Sequence, residues 1–487
     1  MNYKMIGRIL AQILALEAAL MTPALALAIY DRNQRVVFSF FATIGIILVI
    51  ASIMWVYCKN AKRIFYAREG YVCAGGCWIV MSILGCLPFY FSGEIPKYID
   101  ALFEIVSGFT TTGATIMPDV EIMSRGSMLW RCFSHWIGGM GVLVLLLAVM
   151  SGGGQNNGFT LHILRAESPG PNVGKLVPKM RQTAIILYAL YFVLTILCFI
   201  FLIAGDMHWF DALCTAFGTA GTGGFGVKND SIASYSPYIQ NVCTVFMLLF
   251  GVNFSCYYLL LIKQFKSVFK DEELRLYILT VVVSITLITI NLGNYYETLA
   301  ETIRHSAFQV ASIMTTTGFA TTDFDLWPNF SKSILMCLML SGACAGSTGG
   351  GFKFIRIILL FKSLKRGLQK ALNPKKVQVV TINKSTISEN VITGTHIYLT
   401  IYVIIMITSF LVISTDGFSM LTNMSAVNAC FNNIGPGFDS VGPVCNYAGY
   451  STLSKIVLIF DMLVGRLEIL PIIFLLSIST WKRKNVT

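Results

Sequence analysis

Charge is what this chain has least of. Aspartate, glutamate, lysine and arginine make up 12% of its 487 residues, against roughly 25% in a soluble protein. It has five histidines, no phosphate-binding glycine loop, no nucleophile constellation and no paired-carboxylate site. Its 13 cysteines are scattered, many of them inside apolar runs. Cys73 and Cys77 stand at a helical spacing, but without a second pair or a nearby histidine they read as small apolar helix residues, not metal ligands. A polytopic membrane enzyme, such as a lipid-modifying transferase, would need clustered His, Asp or Cys at one interface. Any binding of ATP or NAD falls to a partner. What the chain has instead is apolar length. Hydrophobic residues reach 55% and the mean hydropathy is +0.70, in runs close to the ~20 residues that span a bilayer. This is the composition of an all-α polytopic membrane protein.

The net charge of +12 invites a nucleic-acid reading, and the placement of the basic residues removes it. Of 36 Lys and Arg, 26 fall in six places: Lys4 and Arg8; Lys59, Lys62, Arg63 and Arg68; Arg165, Lys175, Lys179 and Arg181; Lys263, Lys266, Lys270 and Arg275; residues 353–384; and residues 482–484. These are the N-terminus, alternate loops and the C-terminus. That is the positive-inside pattern, which needs no nucleic acid and puts both termini in the cytoplasm. The first apolar run, residues 9–30, has the look of a cleaved signal peptide. A second run begins only six residues later, at Val36, which favours an uncleaved helical hairpin.

Ten spans can be traced, at about residues 7–29, 36–58, 71–91, 129–150, 184–203, 239–262, 276–292, 333–360, 397–413 and 453–478. Residues 151–183 and 363–389 read as cytoplasmic loops. The last eight spans bracket one motif in four copies, at residues 100–113, 211–224, 305–318 and 422–435. Each copy is a short, half-apolar segment that ends in a hydroxyl- or amide-rich run and a glycine. Those glycines, Gly113, Gly224, Gly318 and Gly435, lie 111, 94 and 117 residues apart, which is the spacing of a repeated module. The implied division is an N-terminal helix pair (1–69) and four helix–loop–helix repeats (70–165, 166–270, 271–385 and 386–487).

A ten-residue helix followed by Thr-Thr-Thr-Gly is too short to cross. Non-helical backbone at membrane depth is tolerated only where protein or a water-filled cavity satisfies it, so each copy reads as a re-entrant loop. Its flanking spans put both ends outside, which points the C-terminus of the short helix inward. A helix C-terminus carries roughly −0.5 of a charge, so four converging copies favour a cation. Glycine lets consecutive carbonyls face one axis, and rings of carbonyls replace the hydration shell of potassium in selectivity filters.

Three other features carry chemistry. The run 333–360 is too long for a plain span and is interrupted by Gly342, Gly346, Gly349, Gly350 and Gly351, through either close helix packing or an unwound segment. Arg466 lies in the last apolar span, where burying a cation costs about 2.5–3.5 kcal/mol. It must face water or a partner, and Glu468, two positions on, lies on another face of the helix. Glu104, in the first short helix, either attracts cations at the outer mouth or serves as a hydrogen-bonded structural carboxylate.

Read together, Gly108-Phe-Thr-Thr-Thr-Gly-Ala-Thr115, Gly221-Thr-Gly-Gly-Phe225, Thr315-Thr-Thr-Gly-Phe-Ala-Thr-Thr-Asp323 and Asn432-Asn-Ile-Gly-Pro-Gly-Phe438 resemble the TrkH/KtrB/HKT superfamily of potassium transporters. His135-Trp-Ile-Gly-Gly-Met-Gly141, the glycine run 342–351 and Gly465-Arg-Leu-Glu468 add to the match, and the two extra N-terminal spans resemble the TrkH branch. The resemblance implies four fused potassium-channel-like units, with filter residues Thr111, Thr112 and Gly113; Thr222, Gly223 and Gly224; Thr316, Thr317 and Gly318; and Asn433, Ile434 and Gly435. The second copy has two possible registers, because Thr219-Ala-Gly-Thr-Gly223 also looks like a filter; the spacing from Asp211 selects Gly224. Family members with serine at the first filter position tend toward sodium, so Gly113 implies potassium. The resemblance further implies a gating loop at residues 342–351 (Gly342, Gly349 and Gly350, with Ala345, Gly346 and Ser347 at its tip) and a positive barrier at Arg466, for which a packing salt bridge is the plainer alternative. It also implies a homodimer in the bacterial inner membrane and a cytosolic, TrkA-like nucleotide-binding ring. The basic residues 362–376 either dock such a ring or only satisfy the positive-inside rule. Coupled sodium or proton symport on the same architecture is the rival mechanism.

Overall fold

The computed structural model describes residues 1–61, 66–141, 144, 180–293, 295–375 and 378–481. The inferred loop 151–183, apart from its last four residues, lies outside them. So do Lys62, Arg63, Arg165, Lys175, Lys179, Lys376, the 482–484 cluster and most of 142–150. The described chain is mostly helical, with one two-stranded hairpin, Thr381–Ile382 against Ser385–Thr386.

Six helices among the described residues are long and apolar enough to cross a membrane: Tyr3–Tyr30, Gln34–Tyr57, Arg68–Ser92, Gln182–Ala204, Glu272–Leu292 and Glu389–Asp416. The first two form an antiparallel pair. Asn33 caps the second of them by accepting the Val36 N–H, and Asp31 in the turn holds Arg125. Each of the other four opens a unit and is followed by a short helix: Tyr98–Phe109, Trp209–Gly221, Leu299–Met314 and Met420–Phe431. The long helices turn large apolar side chains outward, among them Phe38, Phe41, Phe192 and Ile290, each more than half exposed. Contiguous apolar surface on this scale is a lipid-facing or partner-facing surface.

Among the described residues, the closing helix of every unit is shorter than the span expected for it. Arg125–Gly139, Pro237–Phe250, Asn329–Leu340 and Thr452–Arg466 contain 15, 14, 12 and 15 residues. At 1.5 Å per residue that is about 18–22 Å, short of a hydrocarbon core about 30 Å thick. Three start alike, with Ser124, Ser236 and Ser451 each accepting the N–H three residues on. All four then break. The first stops before Gly141, whose φ is +86°, and the second bends by 88° at residues 251–253. The third gives way to residues 341–353, and the fourth turns at Glu468 and Ile469, both with positive φ. Only the third of these breaks was expected from the sequence.

Small residues let the closing helices cross the ends of the short ones. A Cβ on Gly138 would overlap the Phe109 carbonyl, and one on Gly465 the Phe431 carbonyl. The N-terminal pair docks by the same means: a Cβ on Gly126 would lie 3.1 Å from both the Ala24 carbonyl oxygen and the Ala28 Cβ. Gly126→Leu is therefore expected to overpack this seam and cost about 1–3 kcal/mol, measured as a lower melting temperature in detergent.

Candidate functional site

The four short helices end in the same way. Thr111, Thr222, Thr316 and Asn433 have φ of +54°, +54°, +60° and +56°. The next residue in each copy donates its N–H to the carbonyl five positions back: Thr112 to Ser107, Gly223 to Gly218 and Thr317 to Ser312, each at 2.8 Å, and Ile434 to Ala429 at 2.9 Å. That is a Schellman cap, made four times with threonine or asparagine where glycine is usual. A left-handed non-glycine residue costs about 1–3 kcal/mol and persists only where its surroundings fix it. One position further on come Gly113, Gly224, Gly318 and Gly435, again with positive φ of +81°, +77°, +83° and +96°. The second copy therefore aligns on Gly224, not on Gly223.

These glycines close a ring. A Cβ on Gly113 would overlap the Gly223 carbonyl; on Gly224, the Thr317 carbonyl; on Gly318, the Ile434 carbonyl; and on Gly435 it would lie 2.7 Å from the Thr112 carbonyl. Each unit thus packs a backbone oxygen against the glycine of the unit before it, and the fourth returns to the first. All four glycines line one vestibule.

The segments after the glycines are tied across each seam. Glu104 is fully buried and accepts from Arg131 Nε (2.6 Å), Thr115 Oγ1 (3.0 Å) and the Ile116 N–H (3.0 Å). Arg131 in turn lies 3.5 Å over the Phe225 ring and donates to the Gly226 carbonyl. Of its two readings, Glu104 is therefore the structural carboxylate. The Ile232 N–H donates to the Ala320 carbonyl, the Asp439 N–H to Asp325, and the Tyr447 N–H to the Thr115 carbonyl. Tyr447 also donates its hydroxyl to the Gly435 carbonyl at 2.7 Å. Beyond the fourth glycine, the hydroxyls of Ser419 and Thr422 hold the Asp439 carboxyl below its ordinary pKa.

The copies differ in their side chains. Thr110 and Thr112 share a hydrogen bond of 2.8 Å, as do Thr315 and Thr317. The second copy has Gly221 and Gly223 at these places, and any Cβ there would strike His135, which fills the room. The fourth has Asn432, held by Tyr402 and Asn428, while Asn433 reaches across its seam to Thr112 Oγ1 at 3.0 Å.

Residues 341–353 lie at the end of the ring away from the vestibule. Gly349 sits 2.9 Å, and Gly350 2.7 Å, from the Thr315 and Asn432 carbonyls measured from a Cβ position, so neither has room for a side chain. The Gly350 N–H donates to Thr316 Oγ1 at 2.7 Å. Gly342 pairs with Phe352. Ala345, Gly346 and Ser347 lie at the break of the second unit, where the Phe254 N–H donates to the Gly346 carbonyl and Ser347 Oγ to the Cys344 carbonyl. Arg466 joins this segment to the first unit: it donates to the Thr348 carbonyl at 2.8 Å, to the Gly138 carbonyl at 2.5 Å, and to the Gly139 carbonyl. The last two belong to a helix C-terminus, which favours a cation.

Three residues here escaped the sequence reading. Lys353 and Arg356 count as loop cations in the positive-inside tally, yet Lys353 is 1% exposed and donates to the Gly349 carbonyl. Arg356 is buried, pairs with Glu468 and stacks 3.9 Å from Tyr398. Their place after a glycine run inside an apolar stretch was the available signal. Glu273, which accepts from the Ala345 and Ile355 N–H groups, carried none.

Four units of long helix, short helix and broken helix, meeting at one ring of backbone carbonyls, define a multi-pass membrane protein with a pseudo-fourfold centre. A family model, TrkH (cation transport protein), matches residues 36–486. The chain is 34% identical over 492 residues to the Trk system potassium uptake protein TrkH of Salmonella typhimurium, covering 99% of this chain and all of that one. It is 31% identical to the Trk system potassium uptake protein TrkG of Escherichia coli, with 95% of each covered. The crystal structure of the potassium transporter TrkH from Vibrio parahaemolyticus superposes with a TM-score of 0.88 at 30% identity, covering 99% of this chain and all of that one. The chain belongs to the TrkH family.

Removing Glu104 leaves Arg131 buried and unpaired. Glu104→Ala is expected to cost about 3–5 kcal/mol, read as a large fall in melting temperature, with Glu104→Gln falling less because it keeps an acceptor for Thr115 and Ile116.

Proposed function

We propose that this protein takes up potassium through the ring, which acts as a selectivity filter. The observation that carries the reading is the cyclic register, in which the glycine of each unit packs against a carbonyl of the next. The names of the TrkH and TrkG relatives support it. A potassium ion leaving the vestibule exchanges water for the carbonyls of Thr111, Thr112 and Gly113 and of their counterparts: Thr222, Gly223 and Gly224; Thr316, Thr317 and Gly318; and Asn433, Ile434 and Gly435. The C-termini of the four short helices favour that charge. No side-chain carboxylate is needed at the ring.

In this reading the four short helices and their polar runs are re-entrant pore loops within repeats 70–165, 166–270, 271–385 and 386–487. The N-terminal pair, the four long opening helices and the four broken closing helices make the ten spans. The protein lies in the inner membrane with both termini in the cytoplasm, as a homodimer controlled by a cytosolic, TrkA-like nucleotide-binding ring. Residues 342–351 are the gate. Their backbone packs under two of the four loops, and Arg466 pins them there while placing a positive charge on the route out.

Reconstitution into liposomes tests this directly: potassium flux is expected, with a reversal potential set by the potassium gradient. A reversal potential that moves with sodium or proton gradients replaces the channel with a coupled symporter. Gly113→Ser puts a side chain on a left-handed residue that faces the Gly223 carbonyl, and selectivity for potassium over sodium is expected to fall at least about tenfold, the loss of about 1.4 kcal/mol of discrimination. Unchanged flux and selectivity in this variant would sink the filter assignment.

A further inference from the structure

The two limbs of segment 341–353 meet at Glu273. This residue sits in the first turn of the helix Glu272–Leu292 and is 5% exposed. One of its oxygens, Oε1, accepts from both the Ala345 N–H at 2.7 Å and the Ile355 N–H at 3.0 Å. Ile355 lies in the first turn of the helix Phe354–Leu372, where N–H groups lack helical partners and a carboxylate is favoured. That half of the arrangement is ordinary capping. The Ala345 half is not, because Ala345 belongs to the far limb of the segment. A single atom therefore pins the tip of the segment to the helix that follows it.

The residues just before Glu273 are gripped from the hairpin Thr381–Ile382/Ser385–Thr386. Its turn, Asn383 and Lys384, has positive φ at both residues (+49° and +64°), as a two-residue type I′ hairpin turn requires. Asn383 Oδ1 accepts the Glu272 N–H at 2.9 Å, the Asn383 N–H donates to Glu272 Oε1 at 3.1 Å, and Asn383 Nδ2 donates to Asp271 Oδ2 at 2.7 Å. Lys362 joins Glu272 to the Thr381 carbonyl. The hairpin also buries Val380 and Ile382 in one cluster with Ile355, Ile358 and Ile392, and Ala345 packs against that cluster. The hairpin thus holds the latch twice, through Asp271–Glu272 on one side and Ile355 on the other, while Asn383 and Lys384 themselves are exposed.

We infer that Glu273 is a positioning residue that latches segment 341–353 shut, and that the exposed hairpin 381–386 is the handle that sets it. Displacing the hairpin moves Glu273 and Ile355 together and releases Ala345. The inference rests on the reading of this segment as the gate.

The test uses the full-length protein in lipid, with no partner added, and two readouts: amide hydrogen exchange across residues 342–355, and potassium flux from liposomes. Glu273→Ala is expected to raise both by about tenfold, on the scale of losing hydrogen bonds to a charged acceptor. Glu273→Gln, which keeps an acceptor oxygen, restores part of the protection. Asn383→Ala, at the exposed turn of the hairpin, raises exchange across 342–355 by less than Glu273→Ala. The double variant matches Glu273→Ala alone, because both act on one element. Wild-type exchange across 342–355 in Glu273→Ala overturns the latch, and wild-type exchange there in Asn383→Ala overturns the handle. Raised exchange with unaltered flux leaves the latch standing and removes the gate.

Discussion

A peptide group that leaves a helix inside a membrane must find its partner in protein or in enclosed water, and the centre of this chain is arranged around that demand. Four helices end at one place, and each ends with the same bond back into its own last turn. The amides are satisfied there. The carbonyls that remain are packed against the glycines of the neighbouring unit, so no quarter of the ring can relax while the next stays in place. The left-handed threonines and asparagine are held by this mutual packing. Outside it they would revert to ordinary backbone.

The same demand accounts for the cations at the centre. Breaking a closing helix frees carbonyls, and Arg466 takes three of them while Lys353 takes a fourth. Breaking it also frees amides, which Thr316 Oγ1 and the Glu273 carboxylate accept. The charged residues in this apolar region are therefore the complement of interrupted helices. Arg356 and Glu468 complete the set by neutralising each other beside the turn at residues 468–469.

The short helices and their terminal glycines were legible in the sequence because the left-handed cap and the close approach of backbones both demand small or hydroxylic residues at set places. Spacing alone put Gly224 in register with Gly113. The breaks in three closing helices were not legible. Residues 251–253 and 467–469 sit inside apolar runs whose hydropathy is indifferent to whether the helix continues, and a length count sees one span where there are two pieces. Lys353 and Arg356 were misjudged for a related reason: a charge tally knows distance along the chain, and these two lie next to a loop in sequence while being buried in space. Glu104 stayed ambiguous because its partner, Arg131, comes from a different helix.

The place of His135 beside Gly221 and Gly223 has an evolutionary meaning. In a channel assembled from four identical subunits, every substitution appears in all four quadrants together, and a change that one quadrant could absorb is lost if the other three cannot. Here the quadrants are written separately in one gene. One has glycine at the two positions where the first and third have their threonine pairs, and an imidazole from a neighbouring helix fills the room. One chain with four separate quadrants therefore makes the ring divisible by mutation, and segment 341–353 packs beneath two of its corners only.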